Sequence, residues 1–165
     1  MIYIVMGVAG SGKSTIAKVL ARKLKIEFVD ADQYHSAANV AKMKGGTPLT
    51  DEDRFPWLNS LADAIRGWIE KGESKTLACS ALKRSYREIL NVDPKNVRFI
   101  YLQGSYKLFA ERLSRRKKHF MKEKMLLSQF ETLEEPTADE AIICDANDSI
   151  FELVTHAVKL LHGED

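Results

Sequence analysis

The chain has 165 residues, 45% of them apolar, and a formal net charge of +2. That size suits a single domain with a sizeable core. The near-neutral balance argues against a general nucleic-acid binder or a polybasic membrane binder, and no run approaches the ~18 apolar residues of a membrane span.

In chain order, short β-branched runs alternate with helical patterns. Strands are predicted over 2–6, 26–30, 76–79, 97–102 and 141–144, and helices over 13–24, 36–43, 57–71, 82–91, 105–117, 122–133 and 148–162. Several strands are apolar nearly throughout, as strands covered on both faces are. The last helix carries the stripe Ile150, Leu153, Val154, Ala157, Val158 and Leu161, with Asn147 or Asp148 as its expected N-cap. Such alternation implies βαβ units with right-handed crossovers. The fold expected is α/β: a parallel β-sheet flanked by helices, in one domain spanning 1–165. Sites in such sheets gather at the carboxyl ends of the strands.

Cys79 and Cys144 each end an apolar run and read as buried free thiols; with no CxxC and no Cys/His cluster, a structural zinc is not expected. The opening MIYIVMG is too short for a signal peptide and leads straight into a glycine-rich motif. A cytoplasmic protein is the expectation.

Residues Gly7, Val8, Ala9, Gly10, Ser11, Gly12, Lys13, Ser14 and Thr15 match G-x-x-x-x-G-K-[ST] in full. Glycines let backbone N–H groups close around phosphate oxygens, and the helix opening near Lys13 adds its dipole. Lys13 can reach the β- and γ-phosphates, and the Ser14 hydroxyl can hold Mg²⁺. The motif alone allows a kinase, a GTPase, an ATPase or a nucleotide-sensing module. No N/T-K-x-D guanine motif is present and little chain is left for switch machinery, which favours a kinase.

Asp30-Ala31-Asp32 closes the second strand. Residues two apart in an extended segment point the same way, so both carboxylates can face the phosphates. Asp30 is assigned to the metal and Asp32 to the base that accepts the proton of an attacking hydroxyl. The competing reading is an acidic turn that caps the following helix. His35 is either a substrate contact or a satisfied structural residue. Arg54 lies near a helix N-terminus, where it can clamp a carboxylate or pair with a neighbouring Asp. Pro56 suits a helix start just beyond it, while Thr50 and Asp53 offer an earlier cap. Lys83 and Arg87, four apart after the third strand, share a face that fits an anion site or a solvated basic face.

The most basic stretch, residues 112–120, reads as a lid over about 115–128 that brings an arginine to the γ-phosphate. Arg112 and Arg116 are four apart; one could stack on adenine while the other reaches phosphate. A solvated helix end is the alternative. Trp57 and Trp68 read as packing residues, and Gln129, Glu131 and Glu134 as supporting groups or surface.

Taken together, these blocks resemble the gluconate kinases (gluconokinases). The resemblance is carried by residues 6–14 and by Asp30-Ala31-Asp32-Gln33-Tyr34-His35. Asn39, Lys42-Met43, Gly46, Pro48-Leu49, Asp51, Asp53-Arg54 and Pro56-Trp57-Leu58 continue it. Cys79-Ser80-Ala81-Leu82-Lys83, Tyr86-Arg87, His119-Phe120-Met121 and Ser128-Gln129-Phe130-Glu131-Thr132-Leu133-Glu134 complete it. The resemblance implies a P-loop fold of the adenylate- and shikimate-kinase-like type with a lid, ATP with Mg²⁺, a homodimer, and phosphorylation of gluconate at its terminal hydroxyl. Similar kinases with a DxD after the second strand support Asp32 as base and substrate ligand. The chain departs from the family pattern at Lys118 and Lys122, where Gly and Pro are usual.

Overall fold

The computed structural model describes residues 1–115 and 119–163, and of residues 119–122 the backbone alone. Five strands, β1 (Ile2–Met6), β2 (Glu27–Asp30), β3 (Lys75–Ala78), β4 (Val97–Gln103) and β5 (Ala141–Asp145), form one sheet in the order β2-β3-β1-β4-β5. Every neighbouring pair is parallel. Along β1, Ile2, Ile4 and Met6 turn to one face and Val5 to the other, and all four are fully buried. Two-sided burial is why the strand carries no polar alternation.

On the Val5 face pack α1 (Lys13–Leu24), through Ile16, Ala17 and Leu20, and α7 (Ile150–Leu161), through Leu153, Val154 and Ala157. The opposite face is covered by α3 (Asp51–Glu70) and α4 (Arg84–Leu90), with Trp57, Leu58, Leu61, Ile65, Tyr86 and Leu90. A third apolar group joins Val8, Leu82, Phe109, Leu113, Leu126 and Ala146, and seats α5 (Tyr106–Ser114) and α6 (His119–Thr132) over the phosphate loop. The short α2 (Ala37–Lys44) follows a 3₁₀ turn at Ala31–Tyr34.

Boundaries shift from the sequence expectation at several elements, β3, α4 and α5 among them by up to three residues, and four further shifts stand out. First, β2 starts at Glu27, because α1 ends on Lys25 in the left-handed region and the Ile26 N–H donates to the Ala21 carbonyl. Second, α3 starts at Asp51, not at 57. The Thr50 hydroxyl accepts from the Asp53 N–H and the Asp53 carboxylate from the Thr50 N–H, a reciprocal cap that places Pro56 inside the helix. Third, α6 begins at His119 rather than 122. Fourth, α7 is capped by Ser149, whose hydroxyl accepts from the Glu152 N–H, and neither Asn147 nor Asp148 does this. Ile150, counted in the apolar stripe, is exposed.

Candidate active site

The phosphate loop leaves β1 at Gly7 and enters α1 at Lys13. A Cβ at Gly7 would stand 2.7 Å from the Ser11 hydroxyl, so the loop closes only around glycine there. Gly12, with φ of 90°, occupies the N-cap of α1 in the left-handed region and supplies no side-chain cap. The first turn of α1 holds no acidic residue either. Its N–H groups and dipole therefore face the cleft ready for an anion.

That cleft is a cavity of about 260 Å³ at the carboxyl ends of β1, β2 and β3. Ala9, Lys13 and Ser14 form one wall; Asp30, Asp32 and His35 form the other; Arg54 and Trp57 of α3 and Met125, Ser128 and Gln129 of α6 close it. Ser80, just after β3, belongs to the floor. Val8 is buried in the apolar group under α5, and Thr15 is exposed; neither lines the cavity.

Asp32 sits in the 3₁₀ turn, not in an extended segment, so the two carboxylates converge by a different route from the one expected. The Asp32 N–H donates to Asp30 Oδ1 at 2.9 Å, and Asp30 caps that turn. Asp30 thus caps the short turn, Ser36 caps the helix that follows, and both acids line the cleft. Partial desolvation among the cleft walls pushes the Asp32 carboxyl above the usual carboxylate range; the neighbouring Asp30 adds to this, and Lys13 and His35 oppose it.

His35 is held on every side. Its ring stacks on Trp57 with centroids 4.0 Å apart, and the Trp57 indole N–H donates to the Ala31 carbonyl at 2.8 Å. Asn39 Nδ2 donates to the Asp53 carbonyl at 2.8 Å; a carbonyl only accepts, which fixes the amide orientation. The same Nδ2 lies 3.3 Å from His35 Nδ1, so Nδ1 accepts and the ring proton sits on Nε2. Nε2 lies 3.9 Å from Asp32 Oδ1. Burial lowers the His35 pKa, Asp32 partly offsets this and Arg54 adds to it, so the imidazole is neutral at pH 7. Sequence reasoning counted Asn39 in the resemblance but gave it no role, although its position four residues after His35 was a usable signal.

The Arg54 guanidinium donates to the Tyr86 hydroxyl at 3.1 Å while lining the cleft. It belongs to the first turn of α3, where its N–H donates to the Thr50 carbonyl.

The segment expected to open α4 as an anion site already has its anions, all supplied by the protein. Lys83 Nζ donates to both oxygens of Asp51 at 3.0 Å, and Asp51 also accepts from Tyr86. These contacts, the Tyr86 hydrogen bond first and Lys83 second, lower the Asp51 pKa. The Arg84 N–H donates to Glu134 Oε1 at 3.0 Å. Arg87, 2% exposed, pairs with Glu140 and donates to the carbonyls of Ala81, Leu82 and Glu134. The expectation that Arg87 binds substrate is corrected: its guanidinium is consumed in the interior, where it fixes the loop below the cleft. Ala81 in that loop holds a φ of 46°, a left-handed conformation costing about 1–2 kcal/mol that the Arg87 bond to its carbonyl helps to hold. Lys83 lines an adjoining groove with Asp51 and Thr132, outside the main cavity.

Arg112 Nη2 donates to the Ala146 carbonyl at 2.6 Å, and the guanidinium lies over the Phe109 ring. It joins the phosphate loop side to the loop after β5. Arg116 and Lys118 lie outside the described residues, as do the side chains of His119 and Lys122, so the lid expectation over 115–128 falls largely there. Sequence reasoning also left Gln129 without a defined role, yet its Oε1 accepts from the Ala9 N–H at 2.6 Å.

Comparison with known proteins agrees with this architecture. Residues 9–161 match the shikimate kinase family. Thermoresistant gluconokinase of Escherichia coli is 41% identical over 162 residues, covering 97% of this chain and 93% of that protein. A sugar kinase from Janibacter superposes with a TM-score of 0.90 at 43% identity, covering 98% of this chain and 94% of the other. A gluconokinase from Sinorhizobium meliloti gives 0.87 at 37% identity, covering 98% and 91%.

Proposed function

The chain belongs to the gluconokinase family, within the shikimate-kinase-like P-loop kinases, and we propose that it transfers the γ-phosphoryl group of ATP to the terminal hydroxyl of D-gluconate. One observation carries the reading: a single cavity has Lys13 and Ser14 on one wall and Asp30, Asp32, His35 and Arg54 facing them.

The loop amides and Lys13 hold the triphosphate. Asp32 accepts the proton of the acceptor hydroxyl; its raised pKa makes it a stronger base than an ordinary carboxylate. The neutral His35 presents its Nε2–H toward the acceptor side of Asp32. Arg54 binds the gluconate carboxylate or hydroxyls. Lys83 supports Arg54 and Tyr86 from the adjoining groove through Asp51. Arg112 stands on the adenine side, and Arg116 is the lid arginine of this reading.

The donor set also fits Mg²⁺. Ser14 offers a hydroxyl and Asp30 a carboxylate, both hard oxygen ligands, and no trio of His, Cys, Asp or Glu able to cage a metal occurs among the described residues. Magnesium typically takes one or two protein oxygens and fills its octahedron with water and phosphate. When bound, it neutralises charge on the β- and γ-phosphate oxygens. A homodimer in the cytoplasm completes the proposal.

A coupled ADP-release assay with gluconate, shikimate, a nucleoside monophosphate and adenylylsulfate tests it. Turnover with gluconate is expected. Robust turnover with shikimate and none with gluconate overturns it.

A further inference from the structure

Gln129 comes from α6, 120 residues from the loop it touches. Met125, Ser128 and Gln129 fall three and four apart on α6 and all line the cavity. The atom facing the Ala9 N–H accepts a hydrogen bond, so it is Oε1, and this fixes the orientation of the carboxamide. The amide nitrogen, Nε2, has no hydrogen-bond partner among the described residues. Ala9 is the third residue of the phosphate loop and shares the wall with Lys13. A side chain that accepts from the loop with one atom thus carries two N–H donors on the next, in a residue that lines the same cavity as Lys13 and Asp32.

We propose that Gln129 bridges the phosphate loop and the transferring group: Oε1 holds the Ala9 amide in place, and Nε2 donates to the γ-phosphoryl oxygens. The transferring group spreads its charge over three equatorial oxygens, and a preorganised donor stabilises that charge without reorganisation. A neutral amide suits both tasks, whereas a carboxylate could accept from Ala9 but would repel the phosphoryl group. The inference rests on the nucleotide half of the proposed reaction and is independent of the acceptor.

The test is therefore run without acceptor. Titration calorimetry with Mg²⁺ and either ADP or the non-hydrolysable triphosphate AMPPNP would compare the native chain with Gln129→Glu and Gln129→Leu. Gln129→Glu keeps the acceptor for Ala9 and should lose about tenfold or more in AMPPNP affinity while ADP binding changes far less. Gln129→Leu, which cannot donate, should lower the triphosphate-to-diphosphate affinity ratio as well. A ratio within twofold of native in both variants overturns the proposal and leaves Gln129 as a loop anchor only. Should one variant fail to fold, the ratio in the other decides. Failure of gluconate as acceptor would leave these affinities untouched, so the two proposals fail separately.

Discussion

Arg54 and Arg87 carry the same guanidinium and do different work because of what surrounds it. The Arg54 guanidinium has one hydrogen bond among the described residues, to Tyr86, lies 4.0 Å from Asp51 and borders the cleft. Arg54→Ala should raise the gluconate KM about tenfold or more, with a smaller change for ATP, as measured by initial rates with each substrate varied. The reverse pattern would move Arg54 to the nucleotide. Arg87 is enclosed, with Glu140 and three carbonyls as partners. Arg87→Ala would strand Glu140 and three buried oxygens, so its loss should appear in stability, at about 3 kcal/mol or more by urea unfolding. A KM effect for gluconate without that destabilisation would restore Arg87 as a ligand.

The reciprocal cap of α3 governs more than one helix end. Asp53 accepts from the Thr50 N–H and from Lys42 of α2, and its carbonyl receives Asn39. The Thr50 backbone hydrogen bond, with Lys42 second, holds the Asp53 carboxyl down at about 2. A depressed carboxyl contributes stability above its unfolded value of 3.8 and loses it as pH falls toward about 2. The native chain should therefore outlast Asp53→Ala in urea at neutral pH, and the difference should shrink across that acid window; a pH-independent difference would show that the charge is irrelevant. The same cap shows what sequence could and could not settle. Strand β1, helix α1 and the phosphate loop are legible because their signals are local: an apolar run, a glycine spacing and a helical stripe. At α3, Pro56 and Thr50–Asp53 gave opposed local signals, and only the reciprocal hydrogen bonds decide between them. Lys83 and Arg87 were read as sharing one helical face, but Lys83 is the N-cap of α4, and their anions, Asp51 and Glu140, arrive from 32 and 53 residues away. Local spacing does not reveal such partners, and Gln129 was left between a supporting group and plain surface for the same reason.

Across the whole molecule, the two free cysteines report on integrity. Burial pushes the Cys79 thiol up to about 12 and the Cys144 thiol up to about 11. Thiolate is the reactive form, so iodoacetamide at pH 8 should label neither until the sheet opens, and a bound nucleotide should slow labelling further by mass action. Rapid alkylation of the native chain would contradict the burial of these strand ends. The strand order has a consequence of its own. Because β3 runs between β1 and β2, the strands that lead into the phosphate loop and into the acidic pair lie two inter-strand spacings apart, roughly 10 Å. The separation of the two walls of the cleft is thus a gauge built from main-chain bonds, which no exchange of a single side chain resets.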